Sequence, residues 1–335
     1  MAVIDDLRKK QGVDLLYIGS KNGIEKKLIE DMGVRYEGVS CGKLRRYFSW
    51  ENFKDAFKLP IGFFEAKRVL REFSPNVIFS KGGFVSVPVV AAARWLKIPV
   101  ILHESDLTPG LANKLCIKYA SDICISFEDT RSHISKKYLN RVVVTGTPIR
   151  EEIFQGDEVR GRAFTGLDQH RPVVLVMGGS QGAQQINDLI RGSLTELLKK
   201  FQIVHIVGKG NIDIGVHTKG YVQYEYLNEQ MKDIYAMCEM VVSRGGANSL
   251  AEIAALKKRA LIIPIGSEAS RGEQYLNSKY FAQRMGWSVI SGEITCKEFI
   301  ENVKLAYQNE LIQGELTKSG TKKIVKLIME YEDRG

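Results

Sequence analysis

Short apolar runs alternate along the whole chain with longer stretches in which apolar residues recur every three or four positions. The short runs predict buried strands, and the longer period predicts amphipathic helices. In the first half this pattern predicts a helix over residues 2–10, a strand over 14–18, a helix over 23–32 and a strand over 36–39. An aromatic, basic region then leads into a helix ending near Glu72, with strands at 77–79, 100–102, 123–126 and 142–144 and a helix at 88–96. In the second half, strands at 173–176, 202–207, 240–242, 261–264 and 288–290 alternate with helices, among them 186–199 and 250–257. Neither repeats nor low-complexity tracts interrupt the alternation. It predicts an α/β fold of parallel sheets covered on both faces, whose ligands sit at the carboxyl ends of the strands.

Glycine-rich turns fall at three of those ends. Gly178-Gly179-Ser180-Gln181-Gly182 follows the strand at 173–176, Gly245-Gly246 follows that at 240–242, and Lys81-Gly82-Gly83 follows that at 77–79. Each reads as strand, tight turn, helix. Glycine lets the backbone approach a ligand closely, and a helix N-terminus favours an anion, most often phosphate. Taken singly, such a turn is also what any parallel sheet uses. Two of them about 65 residues apart, each opening an amphipathic helix, point to a nucleotide diphosphate.

A chain of 335 residues suits two domains, with the break expected near Gly146-Thr147-Pro148-Ile149-Arg150, where Thr-Pro interrupts regular structure. Its five cysteines are scattered with no C-x-x-C pair, which predicts reduced core thiols and no zinc site. No apolar run is long enough to cross a bilayer, and residues 1–6 do not read as a signal peptide, so a cytoplasmic location is expected.

The net charge of +9 lies entirely in one half: residues 1–150 hold 25 Lys and Arg against 16 Asp and Glu, and residues 151–335 hold 23 of each. A basic half suggests an anionic surface as partner. Residues 43–71 carry eight basic and three acidic residues interleaved with Tyr47, Phe48, Trp50, Phe53, Phe57, Phe63 and Phe64. Rings flanked by cations suit a bilayer interface bearing anionic lipid. The same aromatics could instead fill a core beneath solvated charges. No nucleic-acid-binding motif accompanies them, and no nucleic-acid partner is expected.

Several ordered segments together resemble the MurG family of peptidoglycan N-acetylglucosaminyltransferases: Lys81-Gly82-Gly83-Phe84-Val85-Ser86, His103-Glu104-Ser105-Asp106, Gly146-Thr147-Pro148-Ile149-Arg150, Gly178-Gly179-Ser180-Gln181-Gly182-Ala183, Ser243-Arg244-Gly245-Gly246-Ala247 with Glu252, and Glu273-Gln274-Tyr275-Leu276-Asn277. The resemblance runs from about residue 2 to the C-terminus. It implies the GT-B architecture, two Rossmann-like domains facing a cleft. Residues 1–149 would meet the acceptor and the membrane, and residues 150–335 would hold the donor, with the last helix packing back on the first domain. It implies inverting transfer from UDP-N-acetylglucosamine to the C4 hydroxyl of lipid I, giving lipid II at the cytoplasmic face of an anionic bilayer, with no metal and no cofactor.

Carried over by position, Gly179, Ser180 and Gln181 would meet the diphosphate. Arg150 would neutralise it as UDP leaves, Glu252 would accept from the ribose, Gln274 would bond the sugar and Leu227 would contact uracil. Gly82, Gly83 and Asn113 fall on the acceptor side, and Tyr47, Phe48, Trp50, Phe53 and Phe57 on the membrane side. The chain departs from its relatives at one place. They begin with a strand and a Gly-Gly-Thr-Gly-Gly-His type loop, of which the histidine is a proposed catalytic group, whereas here Met1 abuts the helix that follows. A gap in the first sheet is therefore expected, and His103, Glu104 and Asp106 become the candidates for acid-base work. Two other readings stay open: a peripheral membrane relative that keeps the donor site without transfer, and a soluble enzyme resembling UDP-N-acetylglucosamine 2-epimerase.

Overall fold

The computed structural model describes residues 1–23, 25–42, 50–179, 182–265, 272–312 and 319–331, with the backbone alone over 50–58. The chain divides into two units, residues 1–148 with 320–335, and residues 149–319. Every strand pairing among the described residues is parallel. Alternating helices impose this, because a strand can rejoin its neighbour in parallel only after a crossover.

Unit 1 runs α1 (Ala2–Leu7), β1 (Leu16–Ser20), α2 (Glu25–Asp31), β2 (Arg35–Val39), α3 (Trp50–Phe73), β3 (Ile78–Ser80), α4 (Ser86–Leu96), β4 (Val100–Glu104), α5 (Leu111–Cys116), β5 (Asp122–Ile125) and β6 (Val142–Val144). Its strands form two separate sheets, β1-β2 and β3-β4-β5-β6. No described strand joins β1 to β3. Both nevertheless face one apolar layer, since Ile18 and Ile78 pack against a cluster containing Leu70, Val90, Leu102 and Ile125. The helix expected to end near Glu72 is longer than its pattern suggests. It passes through Pro60, and Glu65 accepts from the Ser40 backbone at 2.6 Å and pairs with Lys21 at 2.6 Å, fixing the helix beside β1 and β2.

Unit 2 runs α6 (Glu158–Thr165), β7 (Val173–Met177), α7 (Gln184–Leu197), β8 (Gln202–Ile206), β9 (Tyr221–Tyr224), α8 (Met231–Met237), β10 (Met240–Ser243), α9 (Ala247–Ala255), β11 (Arg259–Ile262), α10 (Glu273–Met285), β12 (Ser288–Val289) and α11 (Cys296–Gln308). One sheet of order β12-β11-β10-β7-β8-β9 takes all six strands. β7, β8 and β10 are buried at every position, as strands between two helical layers should be, although β8 also buries Gln202 and His205. α7 and α11 cover one face, meeting the sheet through Ile186, Ile190, Phe299 and Val303. The final helix, α12 (Thr321–Met329), belongs to unit 1, where Ile324, Val325 and Ile328 pack with Val3 and Leu7 of α1 over Ile101 and Cys124. No disulfide joins the cysteines, and burial pushes the Cys124 and Cys238 thiols up to about 12.

Candidate active site

Two of the glycine turns leave neighbouring strands at the same end of one sheet. β7 and β10 are paired, with Met177 opposite Ser243, so the turns that follow them lie side by side. The glycines divide by what surrounds them. A Cβ on Gly182 would strike the Val207 carbonyl and one on Gly245 the Gln274 carbonyl, so these two serve close packing within the protein. Gly179 and Gly246 differ, because a Cβ on either would meet nothing within 4 Å. Gly179 has φ 94°, which itself favours glycine, but Gly246 has φ −72°, open to any residue. Gly246 therefore keeps empty a space that neither its own backbone nor its neighbours require to be empty. That is the arrangement of a backbone cradle for a ligand. Neither α7 nor α9 begins with a side-chain cap, which suits helix N-termini turned toward an anion.

Around the two turns the structure gathers several predicted donor residues. Glu252, on α9, accepts from the hydroxyl of the fully buried Tyr235 at 3.4 Å, and the same hydroxyl lies 3.7 Å from Met177 Sδ at the end of β7. Burial, followed by the charge of Glu252, holds the Tyr235 phenol well above its usual range, while the positive charge of Arg150 acts in the opposite direction. Arg150 thus lies within electrostatic reach of the Tyr235–Glu252 pair. Gln274 sits in the first turn of α10, and its side-chain oxygen accepts from the Ile265 backbone at 3.2 Å. Leu227 is buried in the loop beyond β9. Ser180 and Gln181 lie outside the described residues.

Arg244 and Gln185 are absent from the sequence-based set. Arg244, in the second turn, donates to Gln185 at 3.2 Å, and Gln185 in the first turn of α7 donates to the Gly292 carbonyl at 3.1 Å. The pair links both glycine turns to the loop after β12. The arginine within Ser243-Arg244-Gly245-Gly246 was the available signal, since a guanidinium at a glycine turn brings several hydrogen-bond donors to it.

In unit 1 the three acid-base candidates separate clearly. His103 is fully buried on β4, with Nε2 3.1 Å from the Gly146 carbonyl and Nδ1 3.4 Å from Ser105 Oγ. Burial, with Lys81 adding repulsion, lowers its pKa to about 3. Glu104 is also buried, and both of its oxygens accept from nearby N–H groups. Only Asp106 is partly exposed. It stands just past the end of β4, beside the Lys81-Gly82-Gly83 turn that leaves the adjacent β3. That turn is tied down by serines: Ser80 Oγ donates to Ser86 Oγ at 2.8 Å, and Ser86 Oγ donates to the Gly82 carbonyl at 2.6 Å. Asn113, from α5, packs its amide against Gly82, where a Cβ would come within 3.0 Å of Oδ1.

Of the predicted membrane residues, Tyr47 and Phe48 lie outside the described part. Trp50, Phe53 and Phe57 are on α3, where the backbone alone is described. Further along α3, Phe64 is 66% exposed and Ile61 is also exposed, and Trp95 at the end of α4 is 66% exposed. Lys67 Nζ lies 4.5 Å from the Trp95 ring centre, and Phe63 packs edge-on to Trp95 at 6.5 Å. Trp95 went unnoticed in the sequence because it belongs to a different helix. Among the described residues, no cluster of His, Cys, Asp or Glu could hold a metal, and no helix is long and apolar enough to cross a membrane.

Comparison with known proteins accords with this geometry. Residues 1–125 match the glycosyltransferase family 28 N-terminal domain and residues 173–330 the glycosyltransferase family 28 C-terminal domain. The UDP-N-acetylglucosamine--N-acetylmuramyl-(pentapeptide) pyrophosphoryl-undecaprenol N-acetylglucosamine transferase of Lachnoclostridium phytofermentans is 45% identical over 330 residues, 96% of this chain and 92% of that protein. The crystal structure of Acinetobacter baumannii MurG has the same fold, with TM-score 0.68 and 21% identity over 98% of this chain and 94% of that one. A UDP-GlcNAc 2-epimerase from Methanocaldococcus jannaschii also shares the fold, with TM-score 0.63 and 16% identity over 98% and 95% of the two chains.

Proposed function

Because the chain belongs to the MurG family within glycosyltransferase family 28, we propose that it transfers N-acetylglucosamine from UDP-N-acetylglucosamine to the C4 hydroxyl of lipid I, producing lipid II. It is a hexosyltransferase of GT-B architecture. The observation that carries the donor assignment is the open pair of turns after β7 and β10, where Gly179 and Gly246 leave unfilled space at the start of two helices. In this reading Gly179, Ser180, Gln181 and the N-terminus of α7 receive the diphosphate, and Arg150 neutralises charge on departing UDP. Glu252 accepts from the ribose hydroxyls, Gln274 bonds the sugar, and Leu227 borders the uracil. An epimerase shares the fold but has no use for the exposed aromatic and cationic face of α3 and α4.

Unit 1 supplies the acceptor side, with Gly82, Gly83 and Asn113 lining it and Asp106 removing the proton from the attacking hydroxyl. His103 has its ring fully buried, and Glu104 has both oxygens engaged, so neither is placed to reach a hydroxyl. The exposed rings of Phe64 and of Trp95, the latter beside Lys67, together with the basic segment containing Tyr47, Phe48, Trp50, Phe53 and Phe57, attach the protein to the anionic leaflet carrying lipid I.

Two variants test the division of labour. Asp106→Asn should lower turnover of a lipid I analogue by roughly 10²–10⁴-fold, the usual range for losing acid-base help, and leave UDP binding unchanged. Glu252→Ala should do the reverse in a calorimetric titration, weakening UDP by about 1–3 kcal/mol as a buried polar contact is lost. Wild-type turnover in the first or wild-type affinity in the second removes the corresponding assignment.

A further inference from the structure

Glu104 ends β4, one of the two inner strands of unit 1's larger sheet, and is only 6% exposed, yet its carboxylate lies among N–H donors. Oε1 accepts from the Asp106 backbone at 2.9 Å, and Oε2 accepts from the Gly110 backbone at 2.9 Å and from Asn113 Nδ2 at 2.8 Å. Asn113 Nδ2 also donates to the His103 carbonyl at 3.2 Å. One side chain therefore binds together the end of β4, the loop that follows and the first turn of α5. A carboxylate accepts all three bonds at once. An amide or a neutral acid of the same shape cannot, because one of its two terminal atoms must donate.

Asn113 adds an independent observation. It is 5% exposed, and with Nδ2 fixed by Glu104 and His103 its Oδ1 is turned to Gly82, where it has no hydrogen-bond partner among the described residues. Gly82 and Gly83 have successive positive φ values, 86° and 84°, and a Cβ on Gly83 would meet nothing within 4 Å. A buried acceptor without a donor costs stability unless something uses it. Here it faces the turn at the edge of the proposed acceptor side.

We propose that Glu104 is a positioning residue for transfer, holding Asp106 in place through its backbone and setting the Asn113 amide so that Oδ1 faces the Gly82-Gly83 turn. The proposal rests on the reading of unit 1 as the acceptor side. Glu104 touches no reacting atom itself. It acts on the loop bearing Asp106 and on the amide that buttresses the glycine turn.

The test exchanges the two partners' chemistry. Glu104→Gln places an N–H against existing N–H groups, and turnover of a lipid I analogue should fall roughly 10–100-fold, in line with slight misplacement of reacting groups, with UDP affinity unchanged within about twofold. Asn113→Asp alone sets two carboxylates against each other and should lower turnover and melting temperature together. In the paired variant Glu104→Gln with Asn113→Asp the new amide donates to the new carboxylate, restoring the bond between the two positions in reverse, while the Gly110 N–H then faces an N–H and the His103 carbonyl faces a carboxylate. Because only that one bond is re-formed, its turnover should stay below wild type yet exceed that of both single variants by about threefold. Wild-type kcat and KM in Glu104→Gln overturn the positioning role, and a paired variant no better than the singles overturns its link to Asn113. Should Glu104→Gln fail to fold, the paired variant still decides, since recovered turnover requires the reversed hydrogen bond. Wild-type turnover in Asp106→Asn defeats the base assignment instead, leaving the Glu104 comparison to be judged by its own kinetics.

Discussion

Among the described residues, unit 2 threads six parallel strands into one sheet, whereas unit 1 divides six strands between a pair, β1-β2, and a quartet, β3-β4-β5-β6. In unit 2 the strands that carry both glycine turns, β7 and β10, have a neighbour on each side and bury every residue. In unit 1 only β4 combines that continuity with complete burial and chemistry at its end, and it is β4 that presents His103, Glu104 and the loop with Asp106. Among the described residues β3 has one paired edge, and the turn beyond it is secured by the Ser80–Ser86–Gly82 hydrogen bonds. A doubly flanked strand fixes its carboxyl end through the sheet itself, and a singly flanked strand needs side chains to do so. The two glycine-turn classes in this chain follow that division.

The largest expected consequence is a difference in opening. β1 and β2 form a two-stranded sheet in which β1 buries only Gly19, and two strands alone are marginally stable in water. Amides of β1 and β2 should exchange with solvent deuterium about 10³-fold or more faster than those of β7, β8 and β10. Hydrogen exchange resolved by peptide would measure this. Equal protection in the two regions would mean that β1 is held by something other than its pairing with β2, and the contrast between the units would fail.

A smaller effect, set by acid, should be equal in the two units. Each has one fully buried histidine: His103 in unit 1, and His205 in unit 2 with Nδ1 2.9 Å from the Tyr221 hydroxyl and Nε2 3.0 Å from Asn187 Oδ1. Burial lowers both to about 3, so both rings are neutral in the fold and take a proton readily only when unfolded. For a depressed pKa the stabilisation is complete above the unfolded value near 6.5 and is lost as pH falls toward 3. Over that window each histidine should remove about 1.4 kcal/mol of stability per pH unit. Urea unfolding between pH 4 and 7 should show a slope that flattens by one proton in His103→Gln and by one in His205→Gln. Unaltered slopes in these variants would mean that the rings are already protonated in the fold.

The parallel α/β class could be read from alternating period alone, and the turns after 173–176 and 240–242 could be placed because Gly-Gly after an apolar run is a local signal. Other features depend on distant parts of the chain. β9 was not anticipated, because Tyr221–Tyr224 is short and only partly buried at an edge of the sheet. The 3₁₀ turns at Glu128–His133, Lys136–Arg141 and Glu151–Gln155 leave no apolar period to detect. Among candidate residues, sequence placed His103, Glu104 and Asp106 together but could not rank them. Their difference is one of burial and hydrogen-bond partners, and Gly146, the partner of His103, lies 43 residues away. Trp95 was missed for the same reason, since its neighbour Lys67 comes from another helix, and Arg244, although inside a quoted motif, was passed over because its contact with Gln185 on α7 is not local.

The smallest predicted effect concerns surface charge, and it would sharpen the comparison without disturbing either fold. The excess of Lys and Arg belongs to the first half of the chain, where Phe64 stands exposed and Trp95 stands exposed beside Lys67. Cations over a phosphatidylglycerol surface supply an attraction that salt screens, and inserted rings supply one that salt leaves intact. Sedimentation with phosphatidylglycerol vesicles should therefore weaken on adding salt but retain a residue of binding, and Phe64→Ser with Trp95→Ser should remove that residue. Each ring should contribute about 1 kcal/mol, given that both are already partly packed against neighbouring groups. The substitutions lie on exposed helix surfaces, so the melting temperature should stay within a few degrees of wild type. Equal sedimentation with neutral vesicles, or salt-resistant binding that survives the double substitution, would show that this face is not the one that meets the bilayer.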